Sequence, residues 1–311
     1  MCSDIEKPKI VVICGPTAMG KTYTAINLAR TFNGEIISAD SMQIYRYMNI
    51  GTAKPTTDEQ LCVAHYMIDL VDPDKHFDAR QFAEMCRENI MKLYVRGITP
   101  FVVGGTGLYI KALVNGLFEA GQSDTHMRRR LKEQARIYGA PFLHKRLRRH
   151  DPDTAEKIHP NDTYRIIRAL EVYELTGKSI AALQREHGFN DNRFRALKIG
   201  LHINREELYD RINHRVDAMI GSGFLDEVQG LLAMGYRDDL KSMRSIGYRH
   251  LIDFIKGRCS WDEAIRTLKR DTRRYAKRQL TWFKADPEIV WREPGQLIEI
   301  RRLIKKFLQA G

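Results

Sequence analysis

The chain has 311 residues, 43% of them apolar and 29% charged, a balance that suits a globular protein with a real core and excludes wholesale disorder. Lysine and arginine number 51 against 39 acidic residues, a formal charge of +12, which favours a polyanionic partner. The apolar run at 10–14 is too short for a membrane span or a signal-peptide core, and the five scattered cysteines and ten histidines form neither CxxC nor HExxH. A cytoplasmic protein with no membrane partner, no disulfide frame and no zinc site is expected.

In chain order, KIVVIC at 9–14 is β-branched and apolar, the signature of a buried parallel strand. GPTAMGKT follows at 15–22 and opens a helix running to about Phe32; EIIS then gives a second short strand ending near Asp40 and Ser41. GTAKPT at 51–56 is a loop, since Pro55 disfavours helix at Lys54. AHYMIDLVDP at 64–73 has the texture of a strand or an extended lip closed by a turn. A helix is expected from about Asp78, its candidate cap, to Val95, with Phe82, Met85, Asn89, Met91, Leu93 and Tyr94 as an imperfect stripe. TPFVVGG supplies the next strand and TGLYIKALVNG the helix after it.

Beyond about Gln122 the texture changes. Residues 126–150 hold nine lysines or arginines and one glutamate, and short helical stretches are broken by Gly139, Pro141, Pro152 and Pro160. RALKIGLHI at 195–203 returns the chain to a sheet, and amphipathic helices follow at 205–220, 222–234, 245–257 and 261–283. The alternation of strand and helix indicates an α/β fold, a P-loop NTPase-like parallel-sheet core with a small all-helical insertion. Composition places the core at 1–122 and 199–311 and the insertion at 123–198.

Gly15, Pro16, Thr17, Ala18, Met19, Gly20, Lys21 and Thr22 match GxxxxGK[ST] in the required strand–loop–helix context. Glycines let backbone N–H groups turn inward around phosphate oxygens, and the helix start adds a favourable dipole. Lys21 reaches the terminal phosphate and Thr22 is placed for magnesium, the expected cofactor. The motif fixes a diphosphate-bearing ligand without fixing its reaction. An ATPase or GTPase usually adds a magnesium aspartate after a second apolar strand, whereas PFVVGG ends in glycines, and no NKxD-like guanine reader is present.

Asp40 falls at the carboxyl edge of the sheet, where it serves as a base, an acceptor for magnesium-bound water, a helix cap or a plain solubilising loop residue. Gly104-Gly105-Thr106-Gly107 is either a ligand-facing turn or a plain strand-to-helix turn capped by Thr106. A second basic run, 266–284, has eight cations, one acid, and Tyr275, Trp282 and Phe283 interleaved. It suits nucleic acid, with aromatics stacking on bases, or a solvated face with aromatics in the core. Arg165 and Arg168 share a helical face, gripping phosphate or supporting an acidic cap; Arg205, Arg211 and Arg215 leave the same choice open.

Taken together, GPTAMGKT, ISADSMQIYRYMNIGTAKPT, the HYMID lip, VVGGTGLY, NDTYRIIRALEVYELTG, REELYDRINHRVDAMIGSGFLDEV, SIGYRH and TRRYAKRQLTWF closely resemble the bacterial tRNA dimethylallyltransferase (tRNA isopentenyltransferase) family, in family order over most of the chain. The resemblance implies transfer of a dimethylallyl group from dimethylallyl diphosphate to N6 of the adenosine 3′ of the anticodon, in tRNAs reading codons that begin with U, with release of diphosphate. It implies a P-loop that binds prenyl diphosphate without hydrolysing nucleotide and a helical insertion on the anticodon stem-loop; a monomer is expected. By the same resemblance Asp40 is the general base, Lys21 and the 15–22 loop grip diphosphate, Thr22 holds magnesium, and Thr106 holds Asp40 and approaches the transferring group. Ser41, Met42 and Gln43 surround the target base, with the Gln43 amide able to read an adenine edge. Asn161, Asp162, Thr163, Tyr164, Arg165 and Arg168, and Arg244, Ser245, Ile246, Gly247, Tyr248 and Arg249, map to tRNA contacts, and Arg211 or Arg215 lends a guanidinium to the diphosphate. The rivals are an ATP-dependent P-loop phosphotransferase and a non-enzymatic RNA-binding module with a relic loop.

Overall fold

The apolar run at the start of the chain becomes the central strand of a parallel sheet. The structure, a computed structural model, describes residues 7–118, 124–189, 191 and 193–310. Two compact units emerge, 1–114 with 192–311, and 115–191. In the first, β1 (Lys9–Cys14) is followed by α1 (Lys21–Thr31), β2 (Gly34–Ser38), α2 (Thr57–Cys62), β3 (His65–Tyr66), α3 (Ala79–Val95), β4 (Thr99–Gly104) and α4 (Gly107–Val114). The expected lip is strand only at His65–Tyr66, with an isolated bridge from Tyr45 to Val71. Met67 and Asp69 take positive φ, 64° and 54°, which no extended run tolerates.

Asp78 caps α3 as expected: its Oδ1 accepts from the N–H groups of Arg80 and Gln81, and Gln81 returns its Oε1 to the Asp78 N–H. The buried stripe is Ala79, Phe82, Ala83, Cys86, Ile90 and Leu93, which keeps the 3.6-residue period. Met91 and Tyr94 fall outside that stripe and are exposed. Phe82 stacks on Tyr109 of α4 with ring centroids 4.3 Å apart.

The unit 115–191 is built from α5 (Thr125–Tyr138), α6 (Ala140–His150), α7 (Pro152–Lys157), α8 (Thr163–Thr176) and α9 (Ile180–His187). Leu131, Leu143, Leu147, Ile166 and Leu170 form its core. Inside it Glu171 is fully buried and clamped by Arg128 at 2.8 Å and Arg168 at 2.7 Å. Burial alone raises the Glu171 carboxyl, but hydrogen bonds from Arg168 and Arg128 outweigh it and hold it below its ordinary value.

The chain rejoins the sheet as β5 (Arg195–Leu201), followed by α10 (Arg205–Gly221), α11 (Phe224–Ala233), α12 (Tyr248–Ile255), α13 (Trp261–Lys284), β6 (Val290–Arg292) and α14 (Leu297–Gln309). β5 pairs with β1 from Lys9↔Arg195 onward, so the line drawn at 198/199 from composition falls inside a strand. Helix α12 begins at Tyr248, later than the expected 245, because Gly247 with φ of 96° breaks the helical path. All strand pairs are parallel, in the order β3-β2-β4-β1-β5-β6. Val11, Ile13, Phe101, Ile199 and Leu201 face a core shared with Leu28, Leu208, Ile212, Ile300 and Ile304. The loops after β1, β2 and β4 therefore meet at one carboxyl edge, where open α/β sheets bind ligands. No described helix is long and apolar enough to cross a membrane.

Candidate active site

Gly15 leaves β1 with φ of 140°, and a Cβ there would lie 2.7 Å from the Leu201 carbonyl oxygen. Only glycine lets the loop pass so close to the end of β5. Gly20, at φ 74°, launches α1, whose amino end faces the space that Thr17, Ala18, Met19, Gly20, Lys21 and Thr22 line. Gly15 and Pro16 do not line that space; the Lys21 Nζ donates to the Pro16 carbonyl at 2.6 Å. Burial, then the Arg215 guanidinium, lowers the Lys21 ammonium to about 8, with Asp40 opposing. Cys14, under the cradle, is pushed up to about 12 by burial and stays a thiol.

Asp40 follows β2. Its Oδ1 accepts from the N–H of Met42 at 2.8 Å and of Gln43 at 3.4 Å, an Asx-type turn that aims the carboxylate into the cavity. No hydrogen bond among the described residues engages Oδ2. Thr106 accepts the Ser41 N–H on its hydroxyl at 3.0 Å, and its own N–H donates to the Ala39 carbonyl at 3.2 Å. Thr106 thus braces the Asp40 turn through its neighbours and does not line the cavity. The Gln43 amide is already engaged: Ser38 Oγ donates to Oε1 at 2.8 Å, and Nε2 donates to the carbonyls of Ala53 at 3.0 Å and Thr52 at 3.4 Å. In this arrangement Gln43 shapes the wall and has no spare N–H for an adenine edge.

One cavity of about 680 Å³ holds the cradle, Asp40, Ser41, Met42 and Gln43 together with Arg215, Arg244, Ser245, Ile246, Gly247, Tyr248 and Arg249. The two α10 arginines differ in position. Arg215 lines the cavity, where burial lowers its pKa and Asp40 opposes the shift. Arg211 lies outside it, paired with Glu207 at 2.7 Å. Tyr248 donates its hydroxyl proton to Glu227 at 2.6 Å, Arg249 pairs with Asp271 at 2.6 Å, and the buried Ser245 Oγ has no hydrogen-bond partner among the described residues. Burial favours the protonated Asp271, but hydrogen bonds from Arg270, His250 and Arg249 hold it at about 2.

Several residues of the site escape sequence reading. Ile212, Val216, Met219 and Leu268 give the cavity an apolar wall; their helical spacing marks them as buried without saying what they face. Gln279 reaches from α13 to bond both Thr17 and Gly105, a contact no local pattern announces. Of the α13 aromatics, Tyr275 lines the cavity, Phe283 is core, and Trp282 is half-exposed over Gly107.

In the unit 115–191, Asp162 caps α8 by accepting the Arg165 N–H. Arg165 is exposed beside Asp162 at 3.5 Å, next to exposed Tyr164, whereas Arg168 is committed to Glu171. Asn161 donates its N–H to His159, and Thr163 starts the helix. Among the described residues no group of three His, Cys, Asp or Glu side chains is placed to hold a metal. The Thr22 hydroxyl at the cradle suits magnesium, which takes one or two protein oxygens plus phosphate oxygens and water.

Against known proteins, a family model described as IPP transferase matches residues 43–286. The chain is 52% identical over 306 residues to the tRNA dimethylallyltransferase of Desulfosudis oleivorans, covering 98% of each chain, and 52% identical to tRNA dimethylallyltransferase 2 of Syntrophus aciditrophicus, covering 99% of each. The full-length tRNA isopentenylpyrophosphate transferase of Bacillus halodurans superposes with a TM-score of 0.73 at 42% identity, with 97% of both chains covered. A eukaryotic dimethylallyltransferase acting on tRNA gives 0.80 at 29% identity, over 96% of this chain and 78% of the other. Family model, full-length relatives and fold agree, and the chain belongs to the IPP transferase family.

Proposed function

We propose that this protein transfers a dimethylallyl group from dimethylallyl diphosphate to N6 of the adenosine 3′ of the anticodon, in tRNAs reading codons that begin with U, acting as a cytoplasmic monomer. The observation that carries this reading is the joining of a phosphate cradle, two cations and a carboxylate in one cavity that also has an apolar wall. The names of the full-length relatives support it.

The 17–22 amides, Lys21 and Arg215 grip the diphosphate, and the isoprenyl tail lies against Ile212, Val216, Met219 and Leu268. The adenine leaves its stack to enter, a cost of roughly a few kcal/mol that is least in an already single-stranded loop. As N6 attacks C1 the C1–O bond breaks, and the departing diphosphate takes the electron pair. Asp40 accepts the N6 proton, while Lys21 and Arg215 stabilise the leaving charge. Thr22 would hold magnesium, which when bound offsets further charge on the diphosphate. The unit 115–191 grips the anticodon stem-loop through its exposed cations.

Purified protein is offered unmodified tRNA with either dimethylallyl diphosphate or ATP. The reading requires the adenosine to gain one dimethylallyl mass with diphosphate released. Phosphoryl transfer from ATP with a nucleoside diphosphate as product would replace it by the phosphotransferase reading.

A further inference from the structure

Gln279 is buried on α13 and its carboxamide lies between two loops. Its Oε1 accepts the Thr17 N–H at 3.0 Å, and its Nε2 donates to the Gly105 carbonyl at 2.8 Å. A Cβ on Gly105 would come within 2.4 Å of that Nε2, so the glycine is what admits the contact. A carboxamide offers a donor and an acceptor in one rigid plane, and both are matched here. Thr17 belongs to the cradle. Gly105 precedes Thr106, which accepts the Ser41 N–H beside Asp40 and donates its own to Ala39. One side chain therefore sets the separation between the two halves of the site.

We propose that Gln279 is a positioning residue, locking the diphosphate cradle in register with the turn that carries the general base. This rests on the transfer reading above. Catalysis by alignment is sensitive to such spacing, since a misplacement of about 1 Å costs roughly 10²-fold.

The test uses Gln279→Leu and Gln279→Glu in the full chain, with tRNA and dimethylallyl diphosphate at saturation, and melting temperature as the check on folding. Gln279→Leu removes both hydrogen bonds and should lower kcat by about 10²-fold with KM for tRNA little changed. Gln279→Glu discriminates by pH. The protonated acid donates to Gly105 and accepts from Thr17 as the carboxamide does, whereas the carboxylate has no proton for Gly105. Its kcat relative to wild type should therefore rise as pH falls, while the Leu ratio stays flat. A folded Leu variant with wild-type kcat, or a Glu ratio independent of pH, overturns the proposal and leaves the transfer reading intact. If the Leu variant does not fold, the Glu ratio decides alone. Wild-type protein that transfers no prenyl group overturns both.

Discussion

At Lys21, burial and Arg215 bring the ammonium down to about 8, below its ordinary 10.5. In the proposed mechanism the protonated form grips diphosphate, and the free protein loses that charge as pH rises through about 8. KM for the prenyl diphosphate should climb by about tenfold between pH 7 and 9, and initial rates across that range check it. Arg215→Ala should weaken transfer by about 10²-fold or more, the usual loss of one placed electrostatic donor, whereas Arg211→Ala should leave kcat/KM close to wild type. Equal losses in steady-state assays would contradict the placement. Lys21→Ala should cost at least as much as Asp40→Asn. Arg211 and Arg215 lie four apart on one helix, so spacing made them equivalent. What separates them is tertiary: Glu207 takes one and the cradle takes the other. The partners of the Gln43 amide were out of reach for a related reason, since its ties to Ser38 and Ala53 appear only once the turn has folded.

Among elements, those with a strong local signal were legible. β1 and β4 are continuous apolar runs, α1 follows the GxxxxGK[ST] loop, and α3 announces its own cap. β6 has three residues between Pro287 and Pro294, too few to carry a period. No element was expected after 283, yet Ile300, Ile304 and Phe307 of α14 recur at helical spacing and pack on the sheet. The 49–51 loop had no readable anchor, because its anchor is remote. Glu227 accepts the N–H groups of Asn49, Ile50 and Gly51 at 2.8, 2.7 and 3.1 Å, as well as the Tyr248 hydroxyl. Charge-assisted bonds of this kind contribute about 1.5–3 kcal/mol each. Glu227→Ala should therefore destabilise the protein by about 3 kcal/mol in urea unfolding and raise KM for tRNA, since Gly51–Lys54 form part of the cavity wall; a loss under about 1 kcal/mol would contradict the clamp.

For the whole molecule, the +12 charge is not free surface. In 126–150, Arg128, Arg130, Arg136 and Arg146 pair with Glu171, Glu174, Glu133 and Glu174. Arg129, Lys132, Lys145, Arg148 and Arg149 have no ion-pair partner among the described residues. Composition revealed the basic run but not which cations were committed, because the acids sit elsewhere in the chain. Replacing Lys145, Arg148 and Arg149 by alanine should weaken tRNA binding and flatten the slope of log K against log salt by about 0.7–0.9 per lost phosphate contact. Replacing Arg128 should instead destabilise the 115–191 unit around Glu171. In the proposed mechanism the cradle presents an allylic diphosphate to an unstacked adenine beside Asp40. The most direct measurement is the separation of Asp40 and adenine N6 in a complex with tRNA and an unreactive prenyl diphosphate analogue. A carboxylate about 2.6–3.2 Å from N6, with the diphosphate on the 17–22 loop, is the predicted result; an adenine held away from that loop would contradict it.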